Sequence, residues 1–147
     1  MHLAQHIETH IHAGDAADTV TLDYEARFLR RKRLVSDAGE PFLVELAETR
    51  SLSQGEGFWL DDGRIIAVMA AAEPLLAVRH GNLARIAWHV GNRHTPCQIA
   101  DDHILIREDK VLQAMLEGLG ASVAQVTAPF TPEGGAYGHG RTHGHEH

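Results

Sequence analysis

The stretch GNLARIAWHVGNRHTPCQI, residues 81–99, decides the fold of the second half of the chain. Its apolar residues recur at the spacing of one helical face: Leu83, Ala87 and Val90. The helix is expected to stop at Gly91 and Asn92, because both residue types tolerate positive φ. A strand is expected at TPCQIA, directly after His94. The stretch therefore predicts a helix, a corner that carries a histidine, and a return into a sheet.

The elements on either side complete a β-α-β-β-α-β order, which is the split unit of ferredoxin-like domains. LLAVRH, HILI and SVAQVTA are apolar runs of the length and composition of strands. REDKVLQAMLEGLG predicts a second helix, and Gly120 is expected to end it. The apolar stripe expected on this helix consists of Val111, Leu112, Met115, Leu116 and Leu119.

The first half of the chain predicts a small all-β domain, either a sandwich or a barrel. Short apolar or alternating runs such as TVTLDYEARF and PFLVELA occupy residues 18–72, separated by the turn sequences DAGEP and LDDGR. Pro74 is expected to interrupt strand structure at the boundary between the two halves, since proline lacks an N–H donor. The expected fold class is α+β, with an all-β N-terminal domain at 1–73, a ferredoxin-like domain at 74–130 and a disordered His-rich tail at 131–147.

The composition argues against several classes of protein. The 147 residues carry a net charge of −7, which disfavours nucleic acid as a partner and favours a cationic ligand. With a single cysteine, Cys97, and no secretory leader in MHLAQHIETH, a cytoplasmic location is expected. The longest apolar run, residues 65–72, is far shorter than the roughly 20 residues of a membrane-spanning helix, so no membrane association is expected.

Twelve histidines fall into three groups along the chain, and none lies between residues 13 and 79. Imidazole is a common ligand of Ni, Cu and Zn near neutral pH. The last eleven residues, YGHGRTHGHEH, supply four candidate ligands: His139, His143, His145 and His147. Glycines between them allow several imidazoles to surround one ion, which predicts metal recruitment. The alternative is an inert, solubilising end.

The central group contains candidates of unequal promise. His94 occupies the corner after the first helix, and His103 follows two aspartates near the strand hairpin as a further candidate ligand. His80 and His89 are expected to have structural roles.

The N-terminal group has two geometries that hold metal. A strand would present Ile7, Thr9 and Ile11 on one face and place His6, Glu8, His10 and His12 on the other. A helix would align every fourth residue instead, namely His2, His6 and His10. The two isoleucines favour the strand, so His10 and His12 are the candidate ligands of a peripheral site.

The segment HVGNRHTPCQI, residues 89–99, resembles the UreE family of urease accessory proteins, which are nickel metallochaperones. The similarity continues through DKVLQAMLEGLGASV and PFTPEGGAY, and back through RLVSDAGEPFLVEL and LSQGEGFWLDDGRIIAV. It implies a peptide-binding-like N-terminal domain, a ferredoxin-like metal-binding domain and a homodimer. The family's metal-binding histidine in GNRH falls on His94. At Lys110 the family frequently has histidine, so an auxiliary site there lacks that ligand.

The resemblance also implies a function. A dimer would bind Ni(II) between two copies of His94 and deliver it to apo-urease, with other urease accessory proteins, among them a GTPase, as partners. Zn(II) or Cu(II) would compete for the same nitrogen ligands. No bond is made or broken, so the chain is not expected to be an enzyme. The alternatives are a general Ni/Zn buffer, a peptide-binding chaperone unrelated to urease, and an enzyme with a Cys97–His94 nucleophile pair. Cys97 is expected to pack as a small hydrophobe.

Overall fold

The computed structural model describes residues 1–12 and 14–134, which divide into two compact units between Ala71 and Ala72. Within this part of the chain, strands dominate and two helices lie in the second unit. This combination belongs to the α+β class expected from the sequence. The end that was expected to be a disordered His-rich tail lies outside the described residues from position 135 onward.

The N-terminal unit is built on one sheet with the strand order β2-β6-β5-β1-β4-β3. Its strands are β1 (His2–Glu8), β2 (Asp18–Leu22), β3 (Phe28–Val35), β4 (Pro41–Ser51), β5 (Gly57–Leu60) and β6 (Ile65–Ala70). The first strand confirms the strand interpretation for residues 2–8 and excludes the helix there. It ends at Glu8, so His10 and His12 follow the strand and do not lie on its face as expected. β1 pairs in parallel with β4, and β2 in parallel with β6, whereas the other neighbours are antiparallel.

Two hairpins form at the turn sequences that predicted them. DAGEP joins β3 to β4, where the Gly39 N–H donates to the Ser36 carbonyl at 2.9 Å. LDDGR joins β5 to β6, and Gly63 adopts a φ of 90° in that turn. The core between the strands contains Phe42 and Phe58, both fully buried with ring centroids 5.7 Å apart.

The C-terminal unit has the element order β-α-β-β-α-β. Its elements are β7 (Ala72–Arg79), α1 (Leu83–Asn92), β8 (Gln98–Ile99), β9 (Ile104–Arg107), α2 (Lys110–Gly118) and β10 (Ser122–Pro129). The sheet order is β10-β7-β9-β8, and every neighbouring pair is antiparallel. The loop that carries His94 therefore joins a helix to an edge strand of this sheet.

Each helix buries one face in the core of this unit. On α1 the buried residues are Ile86 and Val90, and on α2 they are Leu112 and Leu116. Val111 was expected in the apolar stripe of α2, but this expectation is wrong, since its side chain is 76% exposed. The helix begins at Lys110, so Val111 lies in its first turn and faces away from the core.

The expectation that Pro74 interrupts strand structure is wrong, because Pro74 lies inside β7. It faces Thr127 of β10, while the pairing of β7 with β9 begins only at Leu75. At Pro74 the strand is therefore at the edge of the sheet, where a residue without an N–H is tolerated.

Candidate metal centre

His94 ends the first helix in a left-handed conformation, with a φ of 56°. Its N–H donates to the Gly91 carbonyl at 3.0 Å, and the Thr95 N–H donates to the Val90 carbonyl at 3.3 Å. These two bonds are those of a Schellman motif, in which the left-handed position is usually glycine. The expected stop at Gly91 and Asn92 is therefore misplaced, because α1 runs through Asn92 and the positive φ falls on His94.

The second helix ends in the same way with a different residue. Gly120 has a φ of 88°, its N–H donates to the Glu117 carbonyl, and the Ala121 N–H donates to the Leu116 carbonyl. The two helix ends of this unit thus share one backbone design. An L-residue pays about 1–2 kcal/mol for the left-handed conformation, a cost that Gly120 avoids and His94 carries. Within residues 1–12 and 14–134, His94 is the one non-glycine residue with positive φ.

The surroundings of His94 favour a cation. The residue is exposed and lies at the carboxyl end of α1, where the helix dipole gives a partial negative charge. The corner also fixes the backbone at that point through the two bonds of the Schellman motif. Sequence reasoning located this histidine between a helix and a strand, and the structure confirms that placement.

One ring nitrogen of His103 is hydrogen-bonded to a carboxylate, as is common for metal-binding histidines. Its Nδ1 lies 2.6 Å from Oδ1 of Asp102, and this hydrogen bond is the largest cause of the lowered pKa of the Asp102 carboxyl. Because an ionised carboxylate only accepts, Nδ1 carries the proton, and Nε2 is the nitrogen suited to bind metal. A carboxylate that holds the second ring nitrogen orients many metal-binding histidines.

His80 has the structural role expected of it. The Asn82 N–H donates to its Nδ1 at 2.8 Å, so Nε2 carries the proton and donates to the Leu119 carbonyl at 3.2 Å. Both ring nitrogens are therefore engaged: Nδ1 holds the N-cap residue of α1, and Nε2 joins the end of β7 to the end of α2. His89, half-buried on α1, packs its ring edge-on against Trp88 with centroids 5.0 Å apart.

Cys97 lies half-buried against the core cluster of the C-terminal unit. Burial, with a smaller contribution from the negative charge of Glu133, raises the pKa of its thiol above the ordinary value. A thiol with a raised pKa is a poor nucleophile and a poor metal ligand at neutral pH. This environment agrees with the expected role as a small hydrophobe and weakens the case for a Cys97–His94 nucleophile pair.

The N-terminal candidates lie just beyond the end of β1. The rings of His10 and His12 approach each other edge to face, with centroids 5.0 Å apart. His10 and His12 line a surface cavity together with Trp59 of β5. The sequence did not predict that Trp59 lies near them. His2 takes no part, since its ring nitrogens lie 2.6 Å from Asp61 and 3.5 Å from Asp62. The only signal for that contact was the acidic pair in LDDG.

The described residues contain no larger cluster of potential metal ligands. Among residues 1–12 and 14–134, no group of three or more His, Cys, Asp or Glu side chains is placed to hold a metal ion. The tail candidates, His139, His143, His145 and His147, lie outside the described residues. In the same described part, no helix is long and apolar enough to cross a membrane.

The two units and the exposed histidine at the helix corner define the class of protein: a two-domain chain with a candidate divalent-metal centre. Comparison with known proteins specifies it further. The family model described as UreE urease accessory protein, N-terminal domain, matches residues 2–71, and the one described as UreE urease accessory protein, C-terminal domain, matches residues 73–147. This chain belongs to the UreE family of urease accessory proteins, which confirms the resemblance seen in the sequence.

Individual relatives are similar over most of the chain. The urease accessory protein UreE of Ruegeria pomeroyi is 57% identical over 136 residues, covering 92% of this chain and 91% of that protein. The protein of the same name from Rhodobacter capsulatus is 61% identical over 132 residues, with coverages of 90% and 84%. That of Paracoccus denitrificans is 63% identical over 123 residues, with coverages of 84% and 79%.

Proposed function

We propose that this chain is a metallochaperone that binds Ni(II) as its cargo and delivers it to apo-urease during assembly of the urease active site. Family membership supports the urease connection. The observation that carries the metal assignment is the histidine at the left-handed end of α1, at the position where α2 has Gly120. A side chain that costs backbone energy at an exposed corner is best explained by what its imidazole binds.

The core site is proposed to need two copies of His94. One imidazole holds a divalent ion weakly, and an isologous two-fold contact would bring the same corner of two chains together. Two large apolar side chains near the corner in sequence support such a contact: Trp88 is 64% exposed and Ile99 is 50% exposed. Burial of exposed aromatic and aliphatic groups is a usual source of affinity in homodimers.

Further histidines are proposed to feed the core site. His103 is a candidate auxiliary ligand, supported by its hydrogen bond to Asp102. The tail is proposed to recruit additional ions through His139, His143, His145 and His147, supported by its glycine and histidine composition. Few fixed ligands and open coordination positions would favour exchange with a partner. Zn(II) or Cu(II) would compete, because the same nitrogen ligands bind them.

The finer fold and cellular assignments are proposals of the same standing. The antiparallel order β10-β7-β9-β8 supports a ferredoxin-like class for the second domain. We divide the chain into a peptide-binding-like β domain that ends at Ala71, a metal-binding domain that begins with β7 at Ala72, and a His-rich tail at 131–147. The protein would act in the cytoplasm as a homodimer with apo-urease and other urease accessory proteins, including a GTPase. It would not act as an enzyme or on nucleic acid or membranes.

Activation of apo-urease in vitro tests the delivery function. Purified apo-urease and its other accessory proteins receive a limiting amount of Ni(II) bound to this chain, and urease activity is measured. We expect more activation than with the same free Ni(II) concentration set by a small chelator, and loss of that gain with His94→Gly. His89→Ala is the matched control, since His89 is also on α1 and is assigned no metal. Equal activation by the chelator and the chain would identify a buffer instead of a delivery protein.

A further inference from the structure

A cavity of about 570 Å³ lies in the N-terminal unit where the chain leaves β1. Its lining includes the two histidines His10 and His12, the carboxylate of Glu8 and the indole of Trp59. The Trp59 Nε1–H donates to Glu8 at 3.4 Å. The cavity thus combines two imidazoles, an aromatic wall and two acidic groups, of which Asp15 is the second.

The segment that carries the two histidines is anchored through the residue between them. The Ile11 N–H donates to the Gly55 carbonyl at 3.2 Å, and the Ile11 side chain lies directly over Gly57. A Cβ at Gly57 would collide with that side chain and would lie 2.7 Å from the Ile66 carbonyl oxygen. Because Ile11 is fixed against β5, its two neighbours are held at the surface of the cavity.

The spacing of the two rings suits a shared ion. Nitrogens bound at about 2.1 Å place two ring centroids about 4.6 Å apart at a right angle and about 5.3 Å apart at the tetrahedral angle. The centroids of His10 and His12 are 5.0 Å apart, between these values. The centroid spacing is therefore compatible with binding of one ion by both rings.

The charge around the cavity does not oppose a cation. Arg64 also lines it, but its guanidinium lies 2.8 Å from one oxygen of Glu40 and 2.7 Å from an oxygen of Asp62. The positive charge is therefore offset by two carboxylates. Glu8 and Asp15, both in the lining, add negative charge.

We propose that His10 and His12 form a second divalent-metal site, separate from the one proposed at His94. Two imidazoles select Ni(II), Cu(II) or Zn(II) over Mg(II) and Ca(II), which prefer oxygen ligands. Water fills the other coordination positions, and Glu8 contributes charge at the cavity wall. With only two protein ligands the site exchanges its ion readily, so it serves as a loading point on the N-terminal unit.

Trp59 provides a local probe of this site. The chain contains two tryptophans, so Trp88→Phe in the full chain leaves Trp59 as the sole indole. Ni(II), which is paramagnetic, is titrated in at pH 7.5 while the emission is recorded. We expect saturable quenching that is lost in His10→Ala/His12→Ala. His89→Ala is the matched control and should quench like its parent, because His89 is assigned no metal and lies on α1 of the C-terminal unit.

Two further measurements make the outcome decisive. The quenching should persist unchanged in His94→Ala, because the proposed site does not depend on the helix corner. Zn(II) should shift the imidazole resonances of His10 and His12 in the full chain. An unaltered quenching curve in the double variant, loss of quenching in His94→Ala, or unmoved His10 and His12 resonances would each overturn the proposal. Circular dichroism verifies that the variants fold, which the exposed positions of His10, His12 and His94 lead us to expect.

Discussion

At the scale of single residues, the most informative feature is that His94 ends α1 in the left-handed conformation that Gly120 adopts at the end of α2. The two helix ends have the same hydrogen-bond pattern, but only His94 places a side chain at the left-handed position. Sequence inspection identified the corner and the histidine. It assigned the positive φ to Gly91 and Asn92, because those residue types tolerate it most readily. The histidine took that position instead, although glycine and asparagine occupy it more often at helix ends.

Substitution of His94 by glycine should stabilise the fold. Relief of the left-handed strain is worth about 1–2 kcal/mol, and the greater unfolded-state entropy of glycine removes about 0.5–1 kcal/mol of this gain. We expect a net increase of about 0.5–1 kcal/mol in the free energy of unfolding, measured with urea. His89→Gly, within the same helix, should instead lower the free energy of unfolding by about 0.3–0.5 kcal/mol through the poorer helix propensity of glycine. Destabilisation by both substitutions would contradict the strain argument.

The thiol of Cys97 should react slowly with disulfide reagents in the native protein. Burial raises its pKa, so the reactive thiolate is scarcer at neutral pH than in a free cysteine, and access is restricted. The sign of the pH dependence follows: the rate should rise as pH increases, up to pH values above those at which a free cysteine levels off. Stopped-flow measurement with and without urea tests this. A native rate equal to the unfolded rate at pH 7 would revive the nucleophile hypothesis.

At the scale of elements, the sequence predicted most of what local pattern controls. Both helices, the two hairpins and the β-α-β-β-α-β order follow from apolar spacing and turn residues. The errors arose where tertiary context decided the outcome. Pro74 is tolerated inside β7 because the neighbouring strand β9 begins its pairing one residue later. Val111 matched the apolar period of α2 but faces solvent, because the first turn extends beyond the core.

The corrected face of α2 gives a matched pair of substitutions. Leu116 is fully buried, and Val111 is 76% exposed. Leu116→Ala should lower the free energy of unfolding by about 2–5 kcal/mol through lost burial and a residual cavity. Val111→Ala should change it by no more than about 0.5 kcal/mol. Urea denaturation of both variants provides the measurement, and similar losses in the two would mean that α2 packs on a different face.

At the scale of the whole molecule, sequence reasoning was weakest where distant residues meet. The parallel pairs β1–β4 and β2–β6 join strands far apart in the chain, and no local signal encodes them. The cavity beside His10 and His12 depends on another long-range pairing, since β5 runs antiparallel to β1 and places Trp59 opposite His6, within hydrogen-bond distance of Glu8. The histidines themselves were found from their spacing, but their surroundings required the fold.

Removal of the tail should lower the number of bound Ni(II) ions without changing the stability of the fold. A chain that ends at Tyr137 lacks His139, His143, His145 and His147, and it retains all the described elements. We expect unchanged unfolding by urea and unchanged oligomeric mass, with fewer Ni(II) ions bound per dimer at pH 7.5. Calorimetric titration with mass measured in parallel provides both numbers. Unchanged Ni(II) stoichiometry after truncation would show that the tail recruits no metal.

The central claim is that two copies of His94 form the tightest Ni(II) site, and calorimetric titration of the chain ending at Tyr137 tests it most directly. The parent, His94→Gly and His89→Ala are compared at one protein concentration, with the mass of each species recorded. We predict that the parent and His89→Ala bind one Ni(II) tightly per dimer. His94→Gly should lose this event while it remains folded and at least as stable as the parent. An equally tight ion per dimer in His94→Gly would contradict the account and place the core site elsewhere.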